Sequence, residues 1–61
     1  MIGVFKTVDP KTGQGVVIRF TRVDSHVTIN SISDFAGMDI WVRFSSVELD
    51  AFRADISNLA R

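Results

Sequence analysis

The sequence predicts a small α+β domain, in which a four-stranded antiparallel meander is followed by one C-terminal amphipathic helix packed on one face of the sheet. Apolar and polar side chains alternate through most of residues 2–44, a period typical of half-buried strands. Clusters of Gly, Pro, Asp and Ser separate the alternating segments, which indicates turns. From Ser45 onward the apolar period lengthens to about 3.6 residues, the period of a helix.

Four strands are predicted from these patterns. All four are rich in β-branched and aromatic side chains, and they span about residues 2–8, 16–22, 26–32 and 39–44. The connection at 9–13 predicts a tight hairpin, because Asp9 accepts backbone N–H groups, Pro10 restricts its own φ and Gly13 tolerates the left-handed conformation. A shorter turn is expected at 23–25.

The helix is predicted over about residues 46–60. Ser45 and Glu48 have the spacing of a capping box, in which each side chain accepts a backbone N–H of the first turn. One stripe of the helix is apolar and is formed by Leu49, Phe52, Ile56 and Leu59. We expect this stripe to cover a sheet face that consists of Val16, Ile18, Phe20, Val27, Ile29, Ile40, Val42 and Phe44.

Length and composition limit the class of protein. A chain of 61 residues supports one domain with a small core, and such domains usually need extra stabilisation, so we expect a homodimer or larger oligomer. The absence of cysteine excludes disulfides and thiolate metal sites and suits a reducing compartment, so a cytoplasmic location is expected. No signal-peptide pattern and no apolar run of membrane-spanning length is present.

No residue pattern indicates catalysis, a cofactor or a metal. His26 is the single histidine and has no second ligand near it in the sequence, which argues against a transition-metal site. Asp24, Ser25 and His26 are the residue types of a hydrolase triad, but consecutive residues on a turn cannot adopt its spatial order. We therefore expect a binding protein rather than an enzyme.

The sheet face that the helix leaves uncovered is the predicted binding surface. It is expected to collect Phe5, Thr7, Arg19, Thr21, His26, Thr28, Asn30, Trp41 and Arg43. Aromatic rings among arginines suit single-stranded nucleic acid, because rings stack on bases and guanidinium groups contact phosphates. The candidate ligand-binding residues are Arg19, Arg43, Trp41, Phe5 and Lys6.

Other uses of the chain also fit the sequence. The same face could close an oligomer around Trp41. A second hypothesis is a small oligomeric protein-interaction module, an inhibitor or adaptor of the kind that viruses and mobile elements encode. It would dock through a strand edge or through the loop at 33–38, where Phe35 and Met38 are unusually apolar for a loop. A third hypothesis is a small anionic ligand held between subunits by arginines.

One local run resembles known nucleic-acid-binding domains. Residues 40–53, Ile40-Trp41-Val42-Arg43-Phe44 followed by the Ser45 cap and an amphipathic helix, look like the last strand and helix of Pur-repeat and positive-cofactor-type single-strand-binding domains. The likeness covers about the last third of the chain. It implies a dimer that binds nucleic acid on its sheet, whereas the formal net charge of zero departs from the basic character of those families.

Overall fold

The computed structural model describes residues 1–59 and contains one antiparallel sheet and one long helix. The strands are β1 (Ile2–Val8), β2 (Gly15–Val23) and β3 (His26–Asp34), in the spatial order β1-β2-β3. A 3₁₀ helix (Trp41–Arg43) and α1 (Ser46–Leu59) follow, and Ala60, the predicted last residue of the helix, lies outside the described residues. The α+β class with an antiparallel sheet and a C-terminal helix is confirmed, but the sheet has three strands. Neither helix of residues 1–59 has the length and hydropathy of a membrane-spanning segment.

The predicted fourth strand at 39–44 is wrong. Its only ladder contact is an isolated bridge between Ser33 and Asp39. The Asp39 carboxylate then accepts the backbone N–H of Trp41 at 3.0 Å, a local bond that offers the backbone an alternative to the ladder, and the chain enters the 3₁₀ turn. Val42 was predicted in the core and is instead 88% exposed.

The neighbours of Val42 in the predicted strand do reach the core. Ile40 is buried, and its N–H donates to the carbonyl oxygen of Ile32 at 2.9 Å. Phe44 is half-buried and meets Phe52 of α1 edge to face, with ring centroids 5.3 Å apart. The segment therefore contributes apolar side chains without extending the sheet.

The phase of β1 also differs from the prediction. Phe5 pairs with Ile18 and Thr7 with Val16, and both partners are buried beneath the helix. Directly paired residues share a face of a sheet, so the prediction that Phe5 and Thr7 lie on the open face is wrong. Phe5 packs against the core, while Lys6 takes the open side.

A β-bulge in β3 places one further residue in the core. Arg19 pairs with Ser31 and Phe20 with Ile29, so Asn30 is the extra residue between them. Without the bulge, alternation would put Ile32 on the opposite face from Ile29. With it, both are buried, and Ile32 is fully inaccessible.

The core lies between β2, β3 and α1. It is formed by Val16, Ile18, Phe20, Val27, Ile29, Ile32, Ile40, Phe52 and Ile56. The predicted turn and cap are confirmed, because Asp9 accepts the N–H of Lys11 and Gly13 has a φ of 72°. Ser45 and Glu48 exchange the two bonds of a capping box, at 3.3 and 3.1 Å.

Candidate functional site: the open face of the sheet

The open face is the side of the sheet turned away from α1. Its members follow from the strand register and from alternation relative to the buried residues. They are Ile2, Val4, Lys6 and Val8 of β1, Val17, Arg19, Thr21 and Val23 of β2, and His26, Thr28, Asn30, Ser31 and Ser33 of β3. No element of residues 1–59 packs across this face as α1 does on the other side.

The charges of this face are of one sign. Lys6 pairs with Val17 and Arg19 with Val4, which makes the two cations diagonal neighbours with Cα atoms about 7–8 Å apart. Both side chains are exposed. The strands contribute no carboxylate to the face, since Asp34, the acid within β3, is buried and accepts the N–H of Met38.

The ion pairs of the described residues lie elsewhere. Lys11 pairs with Glu48 at 3.2 Å, Arg43 with Asp9 at 3.0 Å and Arg53 with Asp50 at 2.7 Å. All three join loop or helix residues and use no side chain of the open face. Lys6 and Arg19 therefore remain outside these ion pairs on the open face, whereas Arg22, the other strand cation outside them, is paired with Val27 on the side of the helix.

The open face is also rich in exposed aliphatic side chains. Ile2, Val4, Val8 and Val23 are between 53% and 81% exposed. Apart from Lys6, Arg19 and His26, the polar side chains of the face carry hydroxyl or amide groups. Asn30 Nδ2 donates to Thr21 Oγ1 at 2.8 Å, which holds the bulge residue against β2. An unpartnered surface of this kind suits a ligand with both apolar and anionic groups.

Phe35 supplies an aromatic ring to the same face. A Cβ at Gly15 would lie 2.6 Å from the Phe35 ring, so the ring covers the glycine. Because Val16 is buried beneath the helix, the missing side chain of Gly15 points to the open face, and Phe35 lies there, 66% exposed. A glycine in a strand often marks such a close approach, which is the signal that could have located Phe35 from the sequence.

The predicted ligand-binding residues lie in three different parts of the structure. Lys6 and Arg19 lie on the open face, whereas Phe5 packs in the core. Trp41 and Arg43 are not on a strand, and the Arg43 guanidinium is bound to the buried carboxylate of Asp9. Of the two predicted partner-binding residues, Phe35 covers Gly15 and Met38 is 68% exposed in the loop.

Apart from the open face, the structure contains a groove between the start of β3 and α1. Its volume is about 480 Å³, and it is lined by Ser25, His26, Val27, Thr28, Arg53 and Ser57, with Ala54. Arg53 is the one arginine or lysine that lines this groove, and its guanidinium forms an ion pair with Asp50. No group of three or more His, Cys, Asp or Glu side chains in the described part of the chain is placed to hold a metal ion.

Comparison with protein-family profiles, with curated proteins and with solved structures finds no match. The likeness to Pur-repeat and positive-cofactor-type domains included a last strand, and the structure does not form that strand, since residues 41–43 form a 3₁₀ helix. The capped helix of that likeness is present.

Proposed function

We propose that the protein is a small non-enzymatic binding module whose open sheet face binds single-stranded nucleic acid. The observation that carries the proposal is the pair of cations on the open face. Lys6 and Arg19 are diagonal neighbours on a face to which the strands bring no carboxylate, and neither is ion-paired within residues 1–59. A local patch of this kind attracts a polyanion even when the net charge is zero.

The remaining side chains of the face suit an unpaired strand. The exposed ring of Phe35 offers a stacking surface for a base, a contact worth about 1–3 kcal/mol. Hydroxyl groups of Thr28, Ser31 and Ser33 line β3, and they can bond phosphate oxygens or base edges. Lys6 and Arg19 then bind the phosphates of the nucleic acid, while the Phe35 ring and the aliphatic side chains contact the faces of the bases.

The test is to titrate the protein into fluorescently labelled oligothymidine of about 12 nucleotides. Fluorescence anisotropy reports binding, and the titration is repeated at several salt concentrations. Two phosphate contacts predict a slope of about −1.4 for log K against log salt. The double substitution Lys6→Gln with Arg19→Gln is expected to weaken binding at least about tenfold, since both phosphate contacts are lost.

A matched control changes the same charge on the other side of the molecule. Lys11→Gln with Arg53→Gln removes two cations that are ion-paired with Glu48 and Asp50. We expect this variant to bind within about twofold of the native protein, because these cations lie off the face. Equal losses in the two double variants, or binding that ignores salt, would contradict the proposal.

A second candidate function is supported by a different observation. The exposed aliphatic side chains and Phe35 give the open face more apolar surface than phosphate binding requires, and this surface suits a polypeptide partner. The protein would then act as an inhibitor or adaptor.

Two pairs of substitutions separate the candidates in affinity capture from the native host. Val8→Thr with Phe35→Ser removes apolar surface, and Lys6→Gln with Arg19→Gln removes charge. A protein captured stoichiometrically by the charge variant but lost with the apolar variant supports the second candidate. Failure of the native chain to capture any stoichiometric protein counts against it.

A further inference from the structure

The two edges of the sheet are protected very differently. At the β3 edge, residues 38–40 fold back, so that Asp34 N–H donates to the carbonyl oxygen of Met38 and Ile40 N–H to that of Ile32. The bulge at Asn30 interrupts the same strand. At the β1 edge there is no proline, no bulge and no covering segment from residues 1–59, and Lys6 is the one charged side chain of the strand, although free edges are usually blocked by several such devices.

The free hydrogen-bonding groups of β1 belong to its even residues. Met1 and Arg22 exchange two bonds of 2.7 Å, from each nitrogen to the other's carbonyl oxygen. In an antiparallel ladder such pairs alternate, so the register places the backbone groups of Gly3, Phe5 and Thr7 toward β2. The N–H and C=O groups of the intervening residues therefore point outward, and these are Ile2, Val4, Lys6 and Val8.

We infer that the β1 edge pairs with the β1 edge of a second copy of this chain, in antiparallel register around Phe5. A two-fold axis between antiparallel strands of one sheet must stand perpendicular to the sheet, which keeps both helices on one side. Pairing residue i with residue 10 − i then opposes Ile2 to Val8 and Val4 to Lys6 of the second copy. All the outward groups are satisfied, in about eight hydrogen bonds.

The chemistry of the strand favours this register over its neighbours. Centring the axis on Lys6 would place two ammonium groups directly opposite each other, which is destabilising. Centring it on Val4 leaves the outward groups of Val8 unpaired. The register around Phe5 instead joins two apolar residues, Ile2 and Val8, and leaves Lys6 facing Val4.

An apolar groove lies along the same edge. In the proposed pair it would face the equivalent groove of the second copy, which would cover it. The groove has a volume of about 180 Å³ and is lined by Met1, Val4, Phe5, Phe20, Ile56 and Leu59. Leu59 is 70% exposed, because α1 lies over β3 and leaves β1 partly bare. The two copies of Phe5 would meet beside the axis in a non-hydrogen-bonded pair, where facing side chains are closest, and would bring the two grooves together.

The consequence is a continuous six-stranded sheet with one open face. Lys6 and Arg19 of both copies then surround the axis, so the positive patch holds twice as many cations as a single chain provides. The pairing itself does not rest on nucleic-acid binding, and it is measured without nucleic acid.

Amide hydrogen exchange tests the edge directly. In a paired strand the amides of Val4 and Lys6 become protected as protein concentration rises, while those of Gly3, Phe5 and Thr7 are protected at every concentration. Sedimentation equilibrium measures the dimer in the same samples. A chain that stays monomeric up to about 1 mM, where an association with a millimolar Kd is half complete, overturns the inference. So does a dimer in which the amides of Val4 and Lys6 exchange freely.

Charge substitutions test the register. Val4→Glu places a carboxylate opposite Lys6 of the second copy and is expected to tighten the dimer about tenfold, whereas Val4→Lys loosens it by a similar factor. In a Lys6→Glu background the order reverses. If both substitutions weaken the dimer equally in both backgrounds, Val4 does not face Lys6 and the inference is wrong.

A proline provides an independent variant. Lys6→Pro removes an outward N–H that β2 does not use, and edge positions of this type tolerate proline. We expect a folded monomer by circular dichroism and sedimentation. A folded Lys6→Pro chain that dimerises like the native one overturns the inference, and if this variant does not fold, the Val4 series decides the question.

Discussion

The guanidinium of Arg43 donates from Nη2 to Oδ2 of Asp9 at 3.0 Å, which joins the 3₁₀ helix to the end of β1. Asp9 is only 4% exposed, and its second oxygen accepts the backbone N–H of Lys11. Its own N–H donates to the carbonyl oxygen of Gln14. Arg43 is therefore a structural residue that holds the first hairpin against the segment leading into α1.

Removing this guanidinium should destabilise the fold. Arg43→Met keeps most of the apolar stem but leaves a buried carboxylate oxygen without its partner, at an expected cost of about 1–3 kcal/mol. The control is Arg53→Met, because its partner Asp50 is exposed and such surface pairs are worth about 0–1 kcal/mol. Urea unfolding measures the free energy of unfolding of both variants. Equal losses would contradict this role for Arg43.

Two glycines lie beneath phenylalanine rings, and the surroundings of the rings predict different costs of substitution. A Cβ at Gly3 would lie 2.6 Å from Cζ of Phe20, whose ring is buried, so Gly3→Ala should cost about 1–3 kcal/mol through overpacking. A Cβ at Gly15 meets the Phe35 ring equally closely, but that ring is exposed and can move.

Gly15→Ala is therefore expected to cost less than Gly3→Ala. Thermal or urea unfolding of the two alanine variants makes the comparison. Gly3→Ala should cost less in a Phe20→Leu background than in the native protein, because the two residues are in contact and their effects are not additive. Strict additivity in that double variant would show that the Phe20 ring is not the obstacle.

The Ser45 hydroxyl caps the first turn of α1. Ser45 Oγ accepts the N–H of Glu48, so Ser45→Ala should cost about 1 kcal/mol, the typical value of a lost N-cap. Ser46→Ala is the matched control, since the Ser46 hydroxyl forms no hydrogen bond with the described residues. Chemical unfolding should show a change below about 0.5 kcal/mol for this control, and similar losses at both serines would contradict the cap assignment.

The β2–β3 turn contains a residue in the left-handed region. Asp24 has a φ of 54°, which Asp and Asn tolerate better than other L-residues. Asp24→Ala should cost about 1–2 kcal/mol, whereas Asp24→Asn should change stability by less than about 0.5 kcal/mol. A loss with Asn as large as with Ala would show that the charge, and not the backbone conformation, is the cause.

The two exposed rings should differ in their effect on nucleic-acid binding. Phe35 lies on the open face, so Phe35→Leu should weaken oligothymidine binding by at least about fivefold through lost stacking. Trp41 lies off the strands, and Trp41→Leu should leave the affinity within about twofold if the variant is folded by circular dichroism. Anisotropy titrations measure both, and the reverse order would place the ligand on the 3₁₀ segment.

Local chemistry allowed several elements to be predicted from the sequence. The Asp9 hairpin, the Ser45 cap and the helical stripe through Phe52 and Ile56 each depend on residues within a few positions of one another, so their backbone preferences are visible in the sequence. The chain's one-helix, antiparallel architecture followed from these elements. Arg19 lies on the open face as alternation in β2 predicts, whereas Lys6, which the predicted face did not include, lies there in place of Phe5.

Short-range patterns were therefore enough to predict the α+β class, the first turn and the start of α1. Contacts between residues distant in the sequence decided the phase of β1, the end of β3 and the path of residues 39–44. The register of β1 against β2 moved Phe5 into the core, the Asn30 bulge moved Ile32 beside Ile29, and a bond from Asp39 diverted the fourth strand. Alternation gives two equivalent phases, and the choice between them depends on partners distant in the sequence.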